Sequence, residues 1–235
     1  MWTYSWTYKC IFSEENAVND NLVKTMSSLF ELHFNINNSE SNGYKGGFLT
    51  DIATFTNGLA MQKFRPKENE NGIPVLKIKE LGQKSCDSSS DICSPSIKSD
   101  YLVNDGDVIF SWSGTLLVDI WCGGKCGLNQ HLFKVTSNDY PLWFAYLWTQ
   151  NHLEKFIRIA KDKAVTMGHI KRVDLERAEV LIPKDDMMQK LDKIFAPIFN
   201  SYISVRVENR KLSALRDSLL PKLMSGELKI DDLPS

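Results

Sequence analysis

From Asp185 toward the end of the chain, apolar side chains recur at alternating steps of three and four residues: Met188, Leu191, Phe195, Ile198, Tyr202 and Val205, then Asn209 and Leu212. Positions 188, 195, 202 and 209 take the a role and 191, 198, 205 and 212 the d role of a heptad seam, which keeps one stripe of a helix turned toward a partner helix. Leu191, Phe195, Ile198, Tyr202, Val205, Asn209 and Leu212 are therefore the helix-pairing candidates. Pro197 falls inside the run and predicts a kink or a restart, because proline lacks an N–H and crowds the preceding turn. From there to Leu220 the rod would measure about 36 Å at the α-helical rise. Asn209 at an a position lowers stability but fixes register. The competing expectation is a long surface helix packed on its own domain.

Upstream the texture changes twice. SEENAVNDNLVKTMSSLFELHF, residues 13–34, has apolar residues at 18, 22, 26, 29, 30 and 34 and Ser13 as N-cap, and reads as one amphipathic helix. NINNSESNGYKGG then breaks the period with polar residues and glycine, which sets a boundary near residue 45. From Phe48 to Val135 short β-branched and aromatic runs are separated by Gly, Asn, Asp and Pro (GIPVLKIKEL, DYLVNDGDVIFSWSG, TLLVDIWC, GLNQHLFKV), with alternation at Val75, Lys77, Ile78 and Lys79. PLWFAYLWTQNHLEKFIRIAKDK, opening on Pro141, predicts a helix, and AEVLIP at 178–183 a last strand. The fold expected is α+β, a sheet-rich domain over 45–183 between an N-terminal tail and short helix over 1–44 and a long C-terminal helix over 184–235. Asn19, Leu22, Ser28 and Leu29 match Asn209, Leu212, Ser218 and Leu219 at a constant offset, a faint internal repeat of the two helical ends.

Charge narrows the partners. Lys+Arg 28 against Asp+Glu 29 gives a net charge of −1, so no global field drives the chain onto nucleic acid or membrane, and any polyanion must be met by a local patch. No run approaches the ~20 apolar residues of a membrane span, and MWTYSWTYKCIF lacks the marks of a signal peptide; a cytoplasmic location is expected. Five cysteines without an export signal predict reduced thiols. Cys122 and Cys126, completed by Cys86 and Cys93, are the alternative as a zinc set, at spacings that are not the common ones; no cofactor or metal is expected.

Catalytic signatures fail. Phe110-Ser-Trp-Ser-Gly114 lacks the first glycine of a nucleophile elbow and is followed by a strand-like run rather than a helix, although His131 is a conceivable base for Ser111 or Ser113. Gly123-Gly-Lys-Cys is too short for a phosphate-cradling loop. Binding features do better. Residues 155–172 carry Lys155, Arg158, Lys161, Lys163, Lys171 and Arg172 against Asp162 alone, with Thr166 and His169 among them, a local charge suited to phosphates. MQKFRPKENENG offers Lys63, Arg65 and Lys67 on a loop. Ser111, Ser113, Asn129, Gln130 and His131 are side chains able to hydrogen-bond base edges, Asn and Gln especially to adenine.

Several of these segments resemble the specificity subunit of type I restriction-modification enzymes. The likeness rests on GIPVLKIKEL (72–81), GDVIFSWSGT (106–115) with LNQHLFKV (128–135), MGHIKRVDLERAEVLIP (167–183) and, most specifically, NRKLSALRDSLLPKLMSGEL (209–228). It implies a non-catalytic reader of double-stranded DNA, with base recognition in 45–183. The helices at both ends would set spacing and dock DNA methyltransferase subunits, and through them, indirectly, a restriction and translocation subunit. Two departures stand out. The family usually carries two recognition domains where this sequence has room for one, which implies a half-subunit acting as a homodimer or with another half. The usual Pro-Pro-x-x-x-Gln before the long helix is here Ile182-Pro-Lys-Asp-Asp-Met-Met-Gln189. Residues 1–12 match nothing in the family and suggest a truncated frame. A degenerate coiled-coil scaffold that binds modification subunits without reading DNA is the alternative.

Overall fold

The computed structural model describes residues 2–34, 43–162 and 168–227, with side chains from Val18 onward. The first helix, α1, spans Trp2–His33. It is longer than the periodicity from Ser13 suggests, since neither glycine nor proline interrupts residues 2–34.

The sheet-rich domain opens with β1 (Tyr44–Phe48) and closes with β10 (Glu179–Pro183), which pair antiparallel with Tyr44 opposite Pro183 and Phe48 opposite Glu179. The sequence reads YKGG as loop, yet Gly47 belongs in this strand: a Cβ there would stand 2.6 Å from Ile182 Cδ1. A helical turn, α2 (Leu49–Ile52), leads to β2 (Thr54–Asn57). Between them, β3 (Ile73–Leu76), β4 (Ile92–Cys93), β5 (Leu102–Val103), β6 (Val108–Ser111), β7 (Leu117–Ile120), β8 (Cys126–Leu128) and β9 (Leu132–Thr136) form two further sheets. One runs β2-β9-β6-β7, all antiparallel; the other runs β4-β3-β8-β5, with β3 and β8 parallel. Leu76, Ile109, Trp121, Leu128 and Leu132 fill the space between them.

One expected strand is a helix. The alternation at Val75, Lys77, Ile78 and Lys79 stops at Leu76, and α3 occupies Ile78–Gln83. Glu80 accepts the Lys77 backbone N–H at 3.2 Å, satisfying a helix-start donor, and Lys84 ends the turn with a left-handed φ of 62°.

The predicted helix α4 (Leu142–Asp162) follows, then α5 (Arg172–Glu176). The largest core joins α4 to both ends of the chain. Phe30 packs edge-on to Trp148 at 5.0 Å, and Trp143 stacks on Phe195 at 4.4 Å.

The last helix, α6, runs unbroken over Asp185–Ser225 and ends on Gly226 with φ 76°. Pro197 neither stops nor restarts it. The ring is exposed, and Phe195 and Phe199 on either side are buried, so tertiary packing outweighs one lost backbone bond. Leu191, Phe195 and Tyr202 of the seam are buried, Ile198, Val205 and Asn209 half-buried, and Leu212 exposed. Phe199 and Arg206 are buried as well, so the inward stripe advances by four, four, three and four residues, close to the 3.6 period of a straight helix. What covers this part of α6 is its own domain and α1. Beyond residue 210 the stripe emerges bare, with Leu212, Leu215, Leu220 and Met224 exposed.

Two arginines one turn apart lock α6 to the sheet. Arg206 grips both Asp119 carboxylate oxygens at 2.9 Å and donates to Ile120 O at 2.6 Å and Tyr202 OH at 3.1 Å. Arg210 reaches the two Asp105 oxygens at 2.6 and 2.9 Å and the Cys122 carbonyl. Its guanidinium holds the Asp105 carboxyl below the usual range.

Candidate nucleic-acid interface

Four backbone segments meet at one end of the β2-β9-β6-β7 sheet. β6 leaves the sheet after Ser111, and Trp112 N–H donates to His131 O at 3.4 Å. Ile170 N–H donates to Trp112 O at 3.1 Å and Gly114 N–H to Gly168 O at 3.1 Å, with Ser113 and His169 forming a β-bridge. On the other side, Leu59 bridges Asn129, and Gly58 N–H donates to Leu132 O at 3.0 Å. Glycine is required at 58, where a Cβ would meet Asn129 O at 2.2 Å.

Several side chains picked from the sequence shape these loops rather than project from them. Ser111 is fully buried, and its hydroxyl donates to Thr115 O at 2.7 Å. It staples the turn and cannot reach a groove, which corrects its expected role as a base contact. Asn129 is also buried; its Oδ1 accepts the His131 N–H at 3.2 Å. Ser113, 7% exposed, has its Oγ 3.1 Å from His131 Nδ1.

That last contact superficially resembles a nucleophile and its base, and Gln130 Nε2 lies 3.4 Å from the other ring nitrogen, His131 Nε2. A catalytic imidazole also needs a carboxylate to orient it. Among the described residues no carboxylate is recorded orienting this imidazole.

What remains outward is an aromatic and polar patch. Trp112 is half-buried against Phe133 at 5.7 Å, with His131 at 6.2 Å and His169 edge-on at 6.3 Å. Trp112 Nε1 donates to Asn57 Oδ1 at 3.1 Å. Gln130 is half-buried, and Asn57, His131 and His169 are exposed. Neither Trp112 nor Asn57 was singled out in the sequence. Trp112 had a signal, a large aromatic between two serines at a strand end; Asn57 had none, because its place depends on a sheet partner far along the chain.

The described end of the basic run continues from this patch through Gly168, His169 and Ile170. Lys161 is exposed near the end of α4, and Lys163 and Thr166 lie outside the described residues. Lys171 and Arg172 are exposed at the start of α5; the Lys171 backbone N–H donates to Asp174 Oδ2 at 2.7 Å, and Arg172 lies 3.7 Å from Glu176. Lys63, Arg65 and Lys67 are exposed on the loop that leaves Leu59. The structure roots that loop at the patch through the Leu59–Asn129 bridge but records no contact between its cations and Trp112.

The four described cysteines do not gather into one set of ligands. Cys86 and Cys126 pair thiol to thiol, burial pushes Cys93 up to about 11, and the Cys122 thiol faces Ile203 O on α6. No group of three His, Cys, Asp or Glu among the described residues is placed to hold a metal ion, and among those residues no helix is long and apolar enough to cross a membrane.

A β-rich module gripped between two helices, with polar loops presented at one sheet end, defines a class of recognition domain, and comparison gives the family. Residues 42–216 match the family described as Type I restriction modification DNA specificity domain, and the chain belongs to it. It is 28% identical over 169 residues to the type I restriction enzyme MjaIX specificity subunit of Methanocaldococcus jannaschii, covering 68% of this chain and 39% of that protein. With the EcoBI specificity subunit of Escherichia coli the identity is 23% over 190 residues, covering 78% and 39%. The chain thus spans about two fifths of the length of these curated relatives. The crystal structure of the type I restriction-modification S subunit from M. genitalium shares the fold at a TM-score of 0.53 and 14% identity, over 92% of this chain and 55% of that one.

Proposed function

We propose that this chain is a non-catalytic DNA-recognition subunit of a type I restriction-modification system, reading one half of a bipartite site with residues 45–183. The observation that carries the reading is the joint presentation of Trp112, Gln130, His131, His169 and Asn57 at one sheet end, beside exposed Lys161, Lys171 and Arg172, in a member of the specificity family. Phosphate contacts from the cations would position the duplex and the amide and imidazole groups would select bases. Lys163 and Thr166, from the same run of sequence, are proposed as further DNA contacts, as are Lys63, Arg65 and Lys67 on the loop that leaves Leu59.

The flanking segments, 1–44 and 184–235, set the spacing and dock methyltransferase subunits, which carry the chemistry together with the restriction subunit. Support for docking comes from the bare stripe at Leu212, Leu215, Leu220 and Met224, which a monomer leaves in water. A second copy laid against that stripe would form a symmetric dimer with two identical readers, and its target would be an interrupted palindrome.

Titration of the full chain against duplex DNA over a range of salt tests the reading. Lys161→Ala or Lys171→Ala should weaken binding to every sequence and lower the salt slope by about one. Gln130→Ala should lose about 1–3 kcal/mol at a single base position. A chain that binds no DNA yet still co-purifies with a methyltransferase subunit would replace this reading with a scaffold.

A further inference from the structure

Asn57 is the last residue of β2, opposite Phe133 in the ladder, and its side chain is exposed. An indole N–H can only donate, so the 3.1 Å contact from Trp112 Nε1 fixes which end of the Asn57 carboxamide is which: the oxygen lies against the indole and the nitrogen points away from it. Among the described residues no protein acceptor faces that nitrogen.

Both partners are held. Trp112 is bonded through its backbone to His131 and Ile170 and packed on Phe133. Asn57 precedes Gly58, whose backbone is pressed so tightly on Leu128 and Asn129 that a Cβ would meet their carbonyl oxygens at 2.4 and 2.2 Å. A freely rotating asparagine recognises adenine by donating to N7 while its oxygen accepts from N6. Here the oxygen is turned onto the indole and the nitrogen away from it, so the outward end of the amide offers hydrogens.

The geometry points to Asn57 as a specificity-determining residue that donates to a base edge bearing acceptors, guanine N7 and O6 or thymine O4, in the major groove. Trp112 is its positioning residue. This rests on the DNA-reading function proposed above and adds to it the chemical type of one recognised base.

Selection of binding sites by the full chain from a randomised duplex pool tests both halves of the idea. Asn57→Asp keeps an oxygen for Trp112 and presents a second acceptor in place of the amide, so one position should switch from guanine or thymine toward cytosine or adenine by about tenfold or more while the others persist. Asn57→Ala should leave that same position unselective. Trp112→Phe releases the carboxamide, and adenine should then be admitted there. An unchanged preference in Asn57→Asp and Asn57→Ala, or a loss of affinity spread evenly over all sequences, overturns the assignment of Asn57 while leaving the DNA-reading function intact. A wild-type chain that enriches no sequence overturns both.

Discussion

Replacing Asp119 by alanine should unfold the protein far more readily than its position, outside the loops that carry Trp112 and His131, would suggest. The Arg206 and Asp119 side chains retain only 8% and 10% of their exposure, so deleting the carboxylate strands a guanidinium that has left water and keeps only Ile120 O and Tyr202 OH as partners. An uncompensated buried charge of this kind costs about 3–5 kcal/mol. In a chain of 235 residues, where each kcal/mol moves the midpoint by about 2–4 °C, the melting temperature should fall by about 6–20 °C. The Arg210–Asp105 pair, with 35% and 29% exposure, supplies the internal control, and Asp105→Ala should cost about 1 kcal/mol. The double variant Arg206→Met with Asp119→Leu, which removes both charges, should recover most of the loss. Urea titrations followed by tryptophan fluorescence measure all four proteins. If Asp119→Ala costs no more than Asp105→Ala, α6 is not seated on the sheet through a desolvated ion pair and the reasoning is refuted.

Burial holds the His152 imidazole below its ordinary 6.5, although Nε2–H donates to Glu179 O at 2.8 Å. The unfolded chain therefore binds this proton more readily. Its contribution to stability should be complete above about pH 6.5 and decline as pH falls through the depressed folded value, and His152→Phe should flatten that part of the urea-midpoint profile. Gly58→Ala should cost about 1–3 kcal/mol in thermal denaturation, because the new methyl meets backbone oxygens rather than a yielding side chain. Leu212, Leu215 and Leu220 changed together to serine should leave the melting temperature nearly unaltered yet abolish any self-association in sedimentation equilibrium; persistence of a dimer would place its interface elsewhere.

The elements visible in the sequence were those whose patterning is local. α4 and α6 were plain from apolar spacing, and β6, β7, β9 and β10 from β-branched runs bounded by turn residues. α3 was misread because Lys77, Ile78 and Lys79 continue the alternation of the preceding strand, whereas the Glu80 carboxylate on the Lys77 N–H marks a helix start. β1 was missed because two glycines hide a strand whose stability comes from β10, far along the sequence. The same limit governs the interface. Gln130, His131 and His169 stand out by residue type, whereas Ser111 belongs to the interior through its bond to Thr115, and Asn57 acquires a role only through an indole 55 residues away. The Arg206 and Arg210 clamp was concealed by the heptad reading, which placed Val205 and Asn209 on the stripe and the two arginines beside it.

The pairing of β1 with β10 has a further consequence for how such a protein can diversify. Strands bonded side by side lie about 4.8 Å apart, so the chain departs from the helical frame near Tyr44 and rejoins it near Pro183 at almost the same point. A module whose two ends are neighbours can be exchanged for another with a different contact surface without lengthening, shortening or rotating the helices, provided the newcomer keeps that ladder and an acidic pair to meet Arg206 and Arg210. Under the proposed function, the surface that would contact DNA and the helices that would set spacing are thereby separable, and each can change without disturbing the other.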